Sequence, residues 1–320
     1  MISRNDIEQI FSSGSRPLIM GILNLDPESF YAESIAHSEF QALKMVELKL
    51  EAGLDILDLG AFSSRPGAKI PNETIESQLI MPILKAIRNA FPNLPISIDT
   101  MRASIAKNSL DLGADIINDI SGGIYDGELP LLVAQRKAVY IAMHMNGMPE
   151  NMQSTNNTNY NNVVEDLLRY FQHRVSMFKS IGLHKLILDP GFGFSKKLQD
   201  NYRLLRHLEL FNIFEKPILV GVSRKSMIWK ITNSSASDSL VGSIVAGFYA
   251  ILNGCSILRV HDVKETADML QIYNAINLSE SLKNKNNNIG FCIFIYCFFK
   301  SRICSGLVSK LDCRLSQRTV

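Results

Sequence analysis

The sequence predicts an α/β protein, a single-domain (β/α)8 TIM barrel followed by an extra C-terminal tail. Three features predict it. Eight short runs of β-branched and apolar residues recur along the chain. Longer segments of helical period separate them. Each run ends in polar or conformationally special residues.

The strand-like runs are 17–24, 56–62, 95–100, 116–121, 138–145, 185–191, 217–223 and 257–262. Between them, Val164, Leu167, Leu168, Phe171, Val175 and Phe178 form an apolar stripe at helical spacing. Helical period also fits 39–52, 73–90, 103–112, 240–252 and 263–276. Gly53, Gly113, Gly182 and Gly254 each follow a helical segment, where a left-handed cap favours glycine. Alternating strands and helices imply a parallel sheet with right-handed crossovers, and eight repeats imply closure. A doubly wound open sheet is the alternative; it usually has fewer strands and an early Gly-rich phosphate turn, which this chain lacks. The barrel is complete near residue 278. The break in composition at LKNKNNN places a boundary at 282/283, with a barrel over 1–282 and a basic, Cys-containing tail over 283–320.

Of 320 residues, 46% are hydrophobic and 20% charged, enough for a large core. The net charge of +2 is uneven: the tail carries +6, from seven Lys or Arg against Asp312, and the body −4. A body at −4 argues against a nucleic-acid partner. Cys255 lies in the body and Cys292, Cys297, Cys304 and Cys313 in the tail, a usage that suits a reducing cytoplasm. The N-terminal MISRNDIEQIF has no apolar signal core. The apolar run 289–299 is shorter than the ~20 residues that span a bilayer, so stable membrane insertion is not expected.

The run ends carry the chemistry. They are Asn24; Gly60 with Ser63-Ser64-Arg65-Pro66-Gly67; Asp99-Thr100; Asn118-Asp119; Met143-His144-Met145; Asp189; Ser223-Arg224-Lys225-Ser226; and Arg259 with His261. A barrel site lies at the C-terminal ends of its strands. One such residue could as easily cap a helix. A polar set at all eight ends of one rim is hard to explain by stability alone.

The segments MGILNLDPESF (20–30), SSRPGA (63–68), SIDT (97–100), INDISGG (117–123), LDPGFGF (188–194), VSRKS (222–226) and RVHDV (259–263) follow one another at these ends. Over about residues 17–277 the chain resembles the dihydropteroate synthase family. The resemblance implies a transferase that joins 6-hydroxymethyl-7,8-dihydropterin diphosphate to 4-aminobenzoate and releases diphosphate, with Mg2+ as cofactor. It departs from the commonest family pattern at Leu25-Asp26, Glu28, Ala61-Phe62 and Ser64, and Asp26 adds a negative charge near the expected diphosphate.

The residues suit those roles. A pterin has a guanidine-like donor edge beside acceptors, and burying it requires fixed carboxylates and an amide. Asp99, Asn118 and Asp189 supply them from separate strands, Met143 is expected against the pterin face, and Lys225 is expected on a ring carbonyl. Asp189 precedes Pro-Gly, a turn rather than a helix start, which favours a binding role over capping. Asp119 and His144 read as structural. Arg259 and His261 alternate along a strand and point to one side, where the diphosphate is expected, with Arg65 and Asn24 beside them. Asn24 is also the expected metal residue. Phe30, Ser64, Arg65, Pro66, Phe194, Lys225 and Ser226 are expected around the aminobenzoate. Phe194 could equally form a small core beneath a loop, and Arg224 could be a structural or a solvated charge.

The expected catalytic set is Asp99, Asp189, Lys225, Arg259 and His261, working without a covalent intermediate, since no side chain reads as an activated nucleophile. A methyltransferase-type pterin barrel would share the edge-reading Asp and Asn residues but has no need of SSRPG and SRKS. A degenerate pterin-binding protein has no need of Lys225, Arg259 and His261 together. A homodimer through outer helices is expected by analogy of fold.

Overall fold

The computed structural model describes residues 2–12, 16–25, 36, 38–62, 67, 68 and 70–286. Eight strands lie among them: β1 (Leu18–Asn24), β2 (Ile56–Gly60), β3 (Ile96–Asp99), β4 (Ile116–Asp119), β5 (Val139–Met143), β6 (Leu186–Asp189), β7 (Leu219–Val220) and β8 (Ile257–Val260). They pair in parallel in the order β6-β5-β4-β3-β2-β1-β8-β7. A parallel bridge between Leu188 and Ile218 joins the two end strands and closes the ring. The strands are buried almost throughout, as near-continuous apolar runs covered by helices should be.

The helices are α1 (Glu39–Glu51), α2 (Glu73–Ala90), α3 (Ala103–Asp111), α4 (Leu129–Arg136), α5 (Val163–Ser180), α6 (Leu198–Arg206), α7 (Ser226–Thr232), α8 (Leu240–Leu252) and α9 (Val263–Asn286). Three of them are capped by side chains at the N-terminus: Ser38 accepts from Gln41 N, Asn72 from Ile75 N and Asn162 from Val164 N. The four glycines expected to end helices all have positive φ. The apolar stripe of α5 is buried at Val164, Leu167, Phe171 and Phe178.

The differences from expectation are local. Seven of the eight expected strands run past the sheet because the last residues of each leave it to form the rim, while β1 ends at Asn24 as expected; 217–223 shortens to Leu219–Val220. Helices α4, α6 and α7 are seven to nine residues long, too short for a clear period. The N-terminal Arg4–Phe11 forms a 3-10 turn whose Ile10, with Ile2, packs on Leu18, Met20, Ile56, Ile116, Val139, Ile141, Ile187, Leu219 and Ile257. It plugs the N-terminal end of the barrel, leaving the C-terminal rim open.

The chain divides into two units, Met1–Leu270, which holds the barrel, and Gln271–Val320. Helix α9 runs on to Asn286, so position 282/283 lies within a helix. Residues 287–320 lie outside the described residues. Among the described residues no helix is long and apolar enough to cross a membrane.

The strand register positions the rim. Asn24 pairs with Gly60, Gly60 with Asp99 and Asp99 with Asn118, so these four occupy one row around the barrel mouth. On the other side Met143 pairs with Asp189.

Candidate active site

Arg259 lies across the barrel mouth. Its Nε donates to Asp58 Oδ2 at 2.7 Å and its Nη2 to Asp99 Oδ2 at 2.9 Å. Asn118 Nδ2 donates to the same Asp58 carboxylate, at 3.3 Å to Oδ2. Asp58 comes from the middle of β2, fully buried. Two carboxylates therefore face one guanidinium. Burial pushes the Asp99 pKa up, Arg259 opposes the shift and Asp58 adds to it. Asp99 Oδ1 is buried with no hydrogen-bond partner among the described residues. Such a lone acceptor is costly unless something donates to it.

Asp189 ends β6. Its Oδ1 accepts from Gly191 N at 2.7 Å, the turn that Pro190-Gly191 implies. Gly191 has φ +70°, and a Cβ there would meet His144 O at 2.2 Å, so the turn excludes other residues. Burial raises the Asp189 pKa, while Lys225 nearby pulls it down. Lys225 Nζ donates to Phe192 O and stands 4.4 Å from the centre of the Phe194 ring. Burial lowers its pKa to about 8, with Asp189 opposing.

Lys225 owes its place to Arg224. Arg224 has φ +54°, and its guanidinium pairs with Asp262 at 2.7 Å, joining the loop after β7 to the end of β8. Arg224 is thus a buried structural charge, one of the two possibilities the sequence left open. His261, just past β8, has its pKa pushed well below the ordinary value by burial and by Arg259, Lys49, Arg224 and Lys225, so its ring is neutral near pH 7.

An open cleft of about 500 Å3 occupies this rim. It brings together Asn24, Asp99, Phe194, Lys225, Ser226, Arg259 and His261 as expected. Asn118, Met143 and Asp189 do not line it; they are buried beside it at the same strand ends, each 7% exposed or less. Met143 packs with Phe62, Met101, Ile120, Met145, Met152 and Phe194, so Phe194 belongs both to a small core and to the cleft wall. Phe30, Ser64, Arg65 and Pro66 lie outside the described residues, as does Asp26. Asp119 is structural as expected, accepting from Ser121 N, Ser121 Oγ, Gly123 N and Tyr140 Oη. So is His144, buried edge-on to Tyr170. Cys255 is buried, with its pKa raised to about 12, which suits no nucleophilic role.

Two functional-looking residues escape the sequence reading. Asp58 carries a signal, an acid inside an otherwise apolar strand (ILDLG), but it precedes the strand end, where barrel site residues normally lie. Lys196 gave none: one Lys of a Lys-Lys pair reads as solvated, yet it is 3% exposed and its pKa is lowered to about 7, chiefly by burial.

Fold and rim together define a (β/α)8-barrel enzyme with a polar cleft at the strand ends. The model of the family described as "pterin binding enzyme" matches residues 20–261. The chain is 39% identical over 263 residues to dihydropteroate synthase of Escherichia coli strain K12, spanning 82% of this chain and 92% of that one. Among solved structures it is similar to Yersinia pestis dihydropteroate synthase in complex with a sulfonamide drug, with TM-score 0.78, 38% identity, and 82% and 94% of the two chains covered. It is also similar to Xanthomonas albilineans dihydropteroate synthase with 4-aminobenzoic acid, with TM-score 0.74, 30% identity, and coverage of 82% and 94%. The chain belongs to the pterin-binding enzyme family, among its dihydropteroate synthases.

Proposed function

We propose that the protein condenses 6-hydroxymethyl-7,8-dihydropterin diphosphate with 4-aminobenzoate, giving 7,8-dihydropteroate and diphosphate in folate biosynthesis. The observation that carries this reading is the unpartnered buried Asp99 Oδ1, set in one rim with Asn118, Asp189, Lys225 and Arg259. The Asp99 and Asp189 carboxylates can accept from the donor edge of a pterin, while Asn118 and Lys225 can donate to its acceptors. The relatives with 4-aminobenzoic acid and with a sulfonamide bound support the second substrate.

The pterin enters beneath the cleft, with its donor edge on Asp99 and Asp189 and its amide side on Asn118 and Lys225. Met143 packs against its face. Lys225 leaves Phe192 O for the ring carbonyl, and Arg259 offers its Nη1, which makes no bond among the described residues, to the diphosphate. His261 and Arg65 assist there. The C–O bond to the exocyclic methylene breaks first, and its electron pair leaves with diphosphate. The cation spreads into the electron-rich dihydropterin, where the buried carboxylates of Asp99 and Asp189 favour positive charge. The aminobenzoate nitrogen then attacks the methylene, forms the C–N bond and releases a proton. Phe30, Ser64, Pro66, Phe194 and Ser226 hold the aryl ring and its carboxylate.

Mg2+ fits this site only with the substrate. Among the described residues no group of three His, Cys, Asp or Glu could hold a metal. Asn24 offers one amide oxygen at the cleft, and Mg2+ normally completes its shell from phosphate oxygens and water. When bound, the ion would neutralise charge on the leaving diphosphate. A cytoplasmic location and a homodimer belong to the same proposal.

Incubation of the protein with the pterin diphosphate, 4-aminobenzoate and Mg2+ tests the reading. Dihydropteroate is expected, and a sulfonamide should compete with aminobenzoate. A protein that binds the pterin diphosphate but makes no product refutes the transferase and favours a binding protein.

A further inference from the structure

Lys196 takes no part in the reaction proposed above, yet it is a buried amine in the wall of the cleft. Its Nζ donates to Gly191 O and Phe194 O, both at 2.9 Å, and to His144 O at 3.3 Å. His144 Nδ1 stands 3.1 Å away. With the imidazole neutral, Nδ1 accepts from the lysine and the ring proton sits on Nε2; burial and the lysine charge both push that ring toward neutrality.

The segment these bonds hold has little backbone order of its own. Gly191, Gly193 and Ser195 all have positive φ, at 70°, 81° and 47°. Side chains stitch it in place instead. Lys225 takes Phe192 O, Asn201 Oδ1 accepts from Gly193 N at 2.6 Å, and Lys196 takes the two carbonyls on either side. The same segment carries Gly191 N, which fixes the Asp189 carboxylate, and the Phe194 ring, which walls the cleft. His144 follows Met143, the register partner of Asp189. Lys196 therefore ties the two strand ends beneath the expected pterin to the loop that completes the site.

We propose that Lys196 is a positioning residue: by clamping Gly191 and Phe194 to the end of β5, it sets the Asp189 carboxylate and the Phe194 ring for the two substrates. This rests on the reading of the rim as a pterin and arylamine site. A bonding pattern that spans two strand ends and one irregular loop is more than a buried charge needs. A lysine satisfied within its own turn would require no reach to His144.

Lys196→Met keeps the length of the side chain and removes every donor. Calorimetry is expected to show affinity for 6-hydroxymethylpterin falling by about tenfold or more, as when one hydrogen bond to a charged group is lost. Affinity for the pterin diphosphate should fall by the same factor, because the diphosphate end is untouched. Unfolding should stay cooperative. Unchanged pterin affinity overturns the proposal, and so does a larger loss for the diphosphate than for the bare pterin, which marks general collapse of the rim. Should Lys196→Met fail to fold, Lys196→Cys treated with 2-bromoethylamine rebuilds the amine, while iodoacetamide leaves an amide, with the parent chain treated alike as control. Pterin binding restored by the amine and not by the amide supports the clamp; equal behaviour of the two overturns it. Parent protein that binds no pterin at all refutes the site reading itself, independently of Lys196.

Discussion

Asp58→Asn is the most direct test of how the barrel mouth is held together. The side chain is nearly isosteric, so packing is kept and only charge and hydrogen bonding change. Asp58 Oδ2 accepts from Arg259 Nε at 2.7 Å and from Asn118 Nδ2 at 3.3 Å, and Oδ1 lies 3.5 Å from the same Nδ2. If the asparagine keeps its oxygen toward Arg259, that oxygen still accepts from Asn118 Nδ2, but the charge is lost and an NH2 replaces Oδ1 3.5 Å from the same Nδ2, donor against donor. If it turns over, its NH2 faces the guanidinium. Either way a buried group is left badly matched. Removing one partner of a buried ion pair costs about 3–5 kcal/mol. Arg259 keeps Asp99 at 2.9 Å as counter-ion, so the cost falls below that range. A loss of about 2–3 kcal/mol is expected, the scale of a hydrogen bond to a charged group. For a barrel of this size that lowers Tm by roughly 4–12 °C. Differential scanning calorimetry measures it. Asp99, freed from the repulsion of Asp58, should also ionise at lower pH, which carboxyl titration by isotope-edited infrared spectroscopy detects. An unchanged Tm would refute the ion-pair account of the mouth and leave Asp58 a spectator.

Three further outcomes are expected. Asp189→Asn should keep the fold and weaken pterin diphosphate binding by about 2–4 kcal/mol, because one acceptor becomes a donor; unchanged affinity by calorimetry removes Asp189 from the site. Lys225 carries its charge only below about 8, so affinity for the pterin should fall as pH rises through that value, by about tenfold per unit if one proton is involved. Because its folded pKa is depressed from 10.5, the unfolded chain holds the extra proton, and the contribution of Lys225 to unfolding free energy should rise between about pH 8 and 10.5; affinity flat to pH 10 contradicts the role. Truncation after residue 282 should keep activity and improve solubility, since the tail is proposed to lie outside the barrel core; loss of folding on truncation places part of the core in the tail.

The alternation of elements could be read along the chain because each strand–helix repeat declares itself by local period, and the site residues by their place at strand ends. Glu73–Ala90 and Leu240–Leu252 match the helices expected from sequence end for end, the first by its amphipathic period and the second as an apolar run too long for a strand. Asp99, Lys225, Arg259 and His261 meet in one cleft for the same reason: parallel strands deliver every C-terminal end to one rim. Register and depth were beyond the reach of local period. Only the pairing across β1 to β4 puts Asn24, Gly60, Asp99 and Asn118 in one row, and only the pairing of β1 with both β2 and β8 lets Arg259, on β8, reach Asp58 across 201 positions of chain. Lys196 shows the limit most plainly. Its neighbours in sequence suggest a solvated charge; its neighbours in space, His144, Gly191 and Phe194, make it a buried clamp. Composition and period report the average environment of a segment, whereas the partner of one buried charge is decided by which distant strand end closes over it.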